Sequence, residues 1–557
     1  MSLDEPLRAP IGLLADSHST RPDARRVLLV VHNVTSLTRL LEVIPVLDAE
    51  LEVTTLATRA NTSAFLDSVG GILEEKGIRT APWSQALTEK FDLVLAASLG
   101  DELHRINGPL IVLPHGVGYN KRGAPGAASA EGTYGLSRES LTRDGRLVAH
   151  TLVLSHPEQR TRLAESCPEA LSTTLVAGDP VLDRIRAGLP FRQRYRDALG
   201  TGSRRLVLIS STWGPTSLVR RRPELVSLLL AHLPRDEFQV VLAAHPNVSE
   251  THGEWQVRSW FAEAERAGLC ILPPLVGWQA AVVAADHVVG DHGSVTGYAA
   301  ALGTHTMLGV FAHEDLAPDS PMAALGRLAP VLRSGTSLRD QLLADAATHH
   351  PDRYRPATDL LASCRGRSHA VLRSAFYRML ELPEPEDDPT VVPPEPPVPH
   401  TLRWPAVGHH PPLRVTVARA GDRISVERFP EELSALNGEW RGSPGSHVVV
   451  ADDEPERSWL ESAHVVTRVD DGDDDPWARL ADTLIMHGSA GLAAAARRGE
   501  CLVLTRAGHR VRLRAPGLAD PLVLASACWP IPNAGPAPER FVLVLGDREY
   551  PAYRTIG

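Results

Sequence analysis

Three short stretches carry the residue types from which chemistry can be built. His115-Gly116 follows the apolar run 110–113, and His245-Pro246 follows the apolar run 239–244. Asp291-His292-Gly293-Ser294 follows a short apolar run at 287–289 and leads through Val295 into an Ala-rich helical stretch that stops at Gly303. Strand, small-residue turn, then helix is how α/β proteins offer backbone N–H groups and a positive helix dipole to a phosphate. Ser294 falls near the N-cap, where its hydroxyl can bond an amide or a ligand oxygen. His115 falls where ligands sit on parallel sheets, off the carboxyl end of a strand. Gly116 and Gly118 let the chain turn beside it, and Lys121 and Arg122 add positive charge. Taken singly, each stretch reads equally as a well-capped βα turn. Their recurrence in one chain is what favours a site.

Positioning these residues requires parallel sheets. Order begins at 27–31, a continuous apolar run of the buried parallel type. Residues 37, 40, 41 and 44 then repeat at helical spacing, and a second strand follows at 51–56. Helix and strand alternate through 62–76, 92–96, 100–105, 109–113 and 151–154, the pattern of a doubly wound sheet. Gly178-Asp179-Pro180 is turn chemistry and closes this unit at a hinge. A second sheet opens at 206–214, where Ser211, Thr212 and Trp213 end its first strand. Arg220, Arg221 and Arg222 follow, either a bidentate diphosphate clamp or a solvated helix face. The stretch 357–382 reads as one long helix.

Composition narrows the classes. A chain of 557 residues is too long for one core. A net charge of −10 implies no general nucleic-acid surface. The five cysteines are scattered, without a C-x-x-C pair, which suits a reducing compartment and argues against a cysteine zinc site. The opening Met1-Ser2-Leu3-Asp4-Glu5-Pro6 is acidic and proline-broken, unlike a signal peptide, and no apolar run has the length of a membrane span. The expected location is cytoplasmic, with peripheral docking at the inner face of the membrane left open. His349-His350 and His409-His410 lie beside prolines without the i,i+4 spacing of a metal pair, and the acidic run 470–475 lacks EF-hand spacing. No metal is expected.

The domain expectation is therefore a disordered tail (1–25), a Rossmann-like acceptor-side domain (26–185) and a Rossmann-like nucleotide-donor domain (186–382). A proline-rich linker (383–412) and a small α/β domain of unknown role (413–557) complete it. The stretch 481–504 repeats the order of 285–308: Ala-Asp, strand, His-Gly-Ser, Ala-rich helix, Gly, strand. It is either a chance likeness or a second unit of related build.

Together, residues 26–382 resemble a GT-B glycosyltransferase. More narrowly they resemble the CDP-glycerol glycerophosphotransferase (teichoic-acid polymerase) family and, more distantly, UDP-N-acetylglucosamine 2-epimerase. The matching pieces are His115-Gly116, the turn Gly178, Pro180, Asp183, the strand end Ser211-Thr212-Trp213, His245-Pro246, and the block Asp286, Asp291, Ser294. The chain departs from the transferase family where Asp291-His292-Gly293-Ser294 replaces Asp-Tyr-Ser-Ser. The resemblance implies metal-independent transfer of a glycosyl or glycerophosphoryl group from a CDP- or UDP-linked donor to a hydroxyl acceptor, in cell-surface or secondary-metabolite glycan assembly. It implies no cofactor. His115 would be the general base, and a protonated His245 would neutralise the leaving phosphate. Gly116, Ser211, Thr212, Asp291, His292, Gly293, Ser294 and Val295 would hold the donor. An epimerase-like enzyme, which needs several first-domain carboxylates, and a non-catalytic nucleotide-binding scaffold are the competing readings.

Overall fold

The computed structural model describes residues 5–557 except 49, 61–67, 101, 124–131, 399–410, 438–444, 471, 473–474 and 533–534. The first sheet contains β1 (Arg25–Val31), β2 (Val53–Arg59), β3 (Thr80–Ala81), β4 (Leu93–Ala96) and β5 (Leu110–Val112). A hairpin of β6 (Thr142–Arg143) and β7 (Arg146–Leu147) precedes its last strands, β8 (Thr151–Leu154) and β9 (Thr174–Val176). The order is β3-β2-β1-β4-β5-β8-β9, parallel throughout. The second sheet is also parallel, with β10 (Arg205–Ser211), β11 (Phe238–Ala244), β12 (Cys270–Ile271), β13 (His287–Gly290) and β14 (His305–Leu308) in the order β12-β11-β10-β13-β14.

The continuous apolar runs are explained by two-sided burial. In β1, Val27, Leu29 and Val31 pack on one side while Leu28 and Val30 pack on the other. In β10, Leu206 and Leu208 face one core and Val207 and Ile209 the opposite one. The expected helix 357–382 is broken into Arg355–Thr358 and Ser368–Leu380. The second piece returns to the first domain, placing Leu372, Ala375, Phe376 and Leu380 against Val27 and Leu29. Asp183 fixes that return, since its carboxylate accepts from the amides of Gly366 (2.7 Å) and Ser368 (3.0 Å). Gly178, at φ +81°, passes so close to the Ser363 carbonyl that a Cβ would lie 2.4 Å from it. The two Rossmann-like domains thus face one another in a GT-B-like pair.

Several expectations need correction. The segment before β1 is packed rather than loose: Leu7 and Ile11 are buried against the first domain, and the Leu7 backbone exchanges two 2.8 Å hydrogen bonds with the Gln85 amide. The proline-rich segment is also held through 398. The Pro394 carbonyl accepts from Tyr195 Oη (2.6 Å), that of Val392 accepts from Arg184 Nε (3.0 Å), and Pro397 packs on Gly277. His409-His410 lie outside the described residues.

The C-terminal unit is mixed α/β, and its sheet closes on itself. Its strands are β15 (Leu413–Ala420), β16 (Arg423–Pro430), β17 (His447–Ala451), β18 (Val465–Val469), β19 (Leu492–Arg497), β20 (Glu500–Thr505), β21 (Arg510–Arg514), β22 (Arg540–Leu545) and β23 (Arg548–Ile556). They form a barrel in the order β15-β16-β22-β23-β21-β20-β19-β18-β17. The supposed repeat fails, because Pro476–Met486 is a helix and Leu492–Arg497 a strand, the reverse of the order at 287–301. Alanine's small side chain fits either state, so it could not decide. Asp475 caps that helix through the Trp477 amide (3.0 Å). The barrel docks on the second domain through Arg428, which pairs with Asp236 of that domain at 2.6 Å while Asp520 of its own unit holds it at 2.6 Å, and through Leu433 in the core beside Leu229. Arg205, which begins β10, pairs with Asp547. The barrel therefore sits at the amino ends of the second sheet. Among the described residues, no helix is long and apolar enough to cross a membrane.

Candidate active site

The carboxyl ends of the two sheets meet around a cavity of about 260 Å³. It is lined from the first domain by Asn33, Ala97, His115 and Lys121, and from the second by Thr212, Trp213, His245 and Ser294. These residues follow β1, β4, β5, β10, β11 and β13, so the cavity lies where ligands of open parallel sheets bind.

His115 and His245 face it with opposite tautomers. The Ala97 carbonyl can only accept, so its 3.0 Å contact puts the proton of His115 on Nδ1 and leaves Nε2 as a base. The Asn247 amide can only donate, so its 3.1 Å contact makes Nδ1 of His245 the acceptor and puts the proton on Nε2. Burial, reinforced by the Lys121 charge, lowers His115 to about 4. Burial, Lys121 and His115 together lower His245 to about 3. The protonated His245 expected from sequence is therefore corrected: in the free protein this ring is neutral and offers an N–H. Capping by itself is structural, since His156 caps Glu158 in the same way (3.1 Å). His245 differs in lining the cavity beside Trp213, with ring centroids 6.2 Å apart.

Lys121 completes the group. Its neighbour Arg122 bonds the Asp315 carbonyl from its amide (2.9 Å) and the Leu316 carbonyl from Nε (2.8 Å), pinning this first-domain loop to the second domain. Lys121 Nζ lies 5.8 Å from the Trp213 ring centroid, and the surrounding protein lowers its pKa. Two neutral imidazoles and an ammonium that repel one another's protonation form a site suited to an anion.

The block 291–295 divides its labour. Asp291, fully buried, does not line the cavity. Its carboxylate accepts from the amides of Thr212 (2.8 Å), Leu218 (3.0 Å) and Gly293 (2.9 Å), so it positions the turns that do. His292 lines the cavity and contacts Asp315 at 3.3 Å. Gly293 is the N-cap of the helix Ser294–Ala301, and Val295 both lines the cavity and packs on the core beside it. Ser294 Oγ accepts from the Val117 amide across the cleft (3.3 Å), and a Cβ on Gly116 would lie 2.7 Å from that oxygen. Gly116 therefore permits the domains to touch. Ser211 lines the cavity, but its hydroxyl is engaged with the Thr212 carbonyl (2.9 Å) and the Val219 amide (3.2 Å). The arginines 220–222 do not line the cavity: Arg221 pairs with Glu314 (2.7 Å), and Arg222 spans the carbonyls of Gly309 (3.1 Å) and Leu332 (2.8 Å).

Beneath the cavity is a buried lock that the sequence reading missed. Arg39 pairs with Asp179 at 2.9 Å, with side chains 4% and 1% exposed, and donates to the Gly116 carbonyl (2.9 Å) and Tyr298 Oη (3.2 Å). Tyr298 Oη in turn donates to Asp179 (2.8 Å), which also caps the helix Pro180–Ala187. First domain, hinge and second domain converge on one carboxylate. Arg39 stands on a helix whose pattern reads only as amphipathic, and Asp179 reads as turn chemistry.

Fold and site thus define a GT-B-like α/β protein with an anion-suited cleft between its domains. No protein-family model matches the sequence, and no curated protein does. Solved structures resemble it in fold. The wall teichoic acid polymerase TagF is 12% identical, over 66% of this chain and 92% of that one, with a TM-score of 0.45. The UDP-GlcNAc 2-epimerase of Neisseria meningitidis, bound to UDP-GlcNAc, is 13% identical over 63% of this chain and 100% of its own, with a TM-score of 0.40. A putative UDP-N-acetylglucosamine 2-epimerase from Listeria monocytogenes is 14% identical over 65% and 99%, with a TM-score of 0.40. At such distances the chemistry must rest on this chain's own residues.

Proposed function

We propose that this chain is a GT-B-type transferase that moves a glycosyl or glycerophosphoryl group from a nucleoside-diphosphate donor to a hydroxyl acceptor, in cell-surface or secondary-metabolite glycan assembly. The observation that carries the reading is the pairing of a proton-accepting His115 with a proton-donating His245 across one cleft, beside Lys121. The donor's phosphates lie against Lys121 and the helix start at Ser294, where the helix dipole favours negative charge. His245 Nε2–H donates to a phosphate oxygen and stabilises the charge that grows as the bond to the leaving nucleotide breaks. His115 Nε2 takes the proton of the acceptor hydroxyl as that oxygen bonds to the transferred carbon or phosphorus. The low pKa of His115 in the free protein rises once the donor's negative charge is beside it, bringing it toward the range useful for a base.

An epimerase-like reading finds one supporting feature. Glu42 of the first domain lines the cavity, bonded by Gln279, and burial pushes its carboxyl pKa up. It is the first-domain carboxylate lining the cavity among the described residues, where that chemistry needs several. Incubating the chain with CDP- and UDP-linked donors and a panel of hydroxyl acceptors distinguishes the readings. Acceptor-dependent release of nucleoside mono- or diphosphate supports transfer. Rearrangement of a UDP-sugar without an acceptor supports epimerisation, and tight donor binding without turnover supports a scaffold.

A further inference from the structure

The end of the second sheet far from the cleft holds a second cluster of polar side chains. His305 opens β14, while Asp345 lies in the helix Leu338–Thr348 and His349 caps it, four residues on. One candidate ligand atom from each residue lies within 4.8 Å of the others. His305 Nδ1, Asp345 Oδ2 and His349 Nδ1 are all buried with no hydrogen-bond partner. The whole Asp345 residue is only 7% exposed. Leaving a carboxylate oxygen and two ring nitrogens buried and unsatisfied is costly unless something else occupies the space between them.

Two of the three residues are held from behind. His349 Nε2 donates to the Gly303 carbonyl at 2.8 Å, which fixes the tautomer with a lone pair on Nδ1. Asp345 Oδ1 accepts from Arg353, leaving Oδ2 free. Outer contacts of this kind orient metal-binding histidines and carboxylates. The His305 and His349 rings stack with centroids 4.3 Å apart.

We propose that His305, Asp345 and His349 form a binding site for a divalent first-row transition metal, zinc in particular. Two imidazoles disfavour calcium and magnesium, which take oxygen ligands, and suit zinc's nitrogen and oxygen preferences. Ligands of a tetrahedral zinc lie about 3.3 Å apart, given bonds of about 2 Å, so small side-chain rotations close the set. An adjoining cavity of about 390 Å³, lined by His287, His305 and Gly303, leaves room for water as the fourth ligand. The metal ties the last turn of the helix Leu338–Thr348 to the start of β14. Because His305 is at the amino end of its strand and the cleft at the carboxyl ends, the site is separate from the proposed transfer chemistry. Asp345 and His349 carry the i,i+4 signal that the adjacent pair His349-His350 concealed.

The test uses the full chain, stripped with EDTA and dialysed against metal-free buffer. Calorimetric titration with Zn²⁺ should show one equivalent bound, and saturating Zn²⁺ should raise Tm by about 5 °C or more. H305Q and H349Q should each weaken binding tenfold or more, and the double variant should abolish it. The Co²⁺-loaded unaltered chain should show visible d–d bands of a nitrogen and oxygen site without a thiolate charge-transfer band, a readout independent of whether any variant folds. Absence of stoichiometric uptake, undiminished binding by the double variant, or a cobalt–thiolate band would each overturn the assignment.

Discussion

Replacing Asp179 tests whether one buried carboxylate holds the cleft together. Asp179→Ala removes the 2.9 Å ion pair with Arg39, the 2.8 Å acceptor of Tyr298 Oη, and the cap on the amides of Val181 (2.9 Å) and Leu182 (3.4 Å). It leaves Arg39 buried with only the Gly116 carbonyl and Tyr298 Oη. Stranding one member of a buried pair costs about 3–5 kcal/mol, and losing an N-cap about 1 kcal/mol more. Arg39→Met is milder, about 3 kcal/mol, because Asp179 keeps its two amides and the tyrosine hydroxyl. Asp179→Asn preserves the acceptor for the cap and should fall nearest to wild type. By calorimetry Asp179→Ala should therefore melt about 8–24 °C lower, taking ~2–4 °C per kcal/mol for units of this size. The same variant should lower turnover, since the Gly116 carbonyl that Arg39 holds adjoins His115. An Asp179→Ala melting point within about 1 °C of wild type, or an order with Asn worse than Ala, would refute the reasoning.

Four further outcomes follow from the cleft. His115→Ala should lower turnover about 10²–10⁴-fold while barely changing donor affinity, whereas His245→Ala should damage both; steady-state kinetics with donor calorimetry separates them, and unaltered turnover in both would remove the catalytic reading. Acid should destabilise the fold between pH 6.5 and about 4. Unfolded histidines bind protons in that window while His115, lowered to about 4, and His245, lowered to about 3, do not, so urea melts should weaken as pH falls through it. For the same reason the acid limb of kcat/KM, which reports free enzyme, should lie below that of kcat, which reports the donor complex. Gly116→Ala forces the Ser294 hydroxyl off the Val117 amide and should cost about 1 kcal/mol, with Ser294→Gly restoring the space and most of the melting temperature.

The sequence by itself determined the parallel sheets and the three strand ends. A strand buried on both faces must be apolar without interruption, as at 27–31 and 206–209, and small residues must follow where backbone approaches a ligand or another loop. His115, His245 and Ser294 stood out because they interrupt such patterns at their carboxyl ends. What the tertiary structure decided were properties that arise between segments remote in the chain. The proton sits on Nδ1 of His115 and on Nε2 of His245 because of Ala97 and Asn247, and both rings are neutral because walls from two domains and Lys121 enclose them. Asp291 turned from ligand contact to scaffold because three amides reach it first. Arg39 meets Asp179 across 140 residues, and His305 meets Asp345 and His349 across 40 or more. The Ala-rich stretches 294–301 and 492–497 differ in structure because alanine takes its conformation from its surroundings, a helix packed on the core of the second domain in one case and a strand of the closed barrel in the other. Local pattern fixes which segments can be buried; only their packing fixes which polar atoms meet, and charge state and chemistry depend on those meetings.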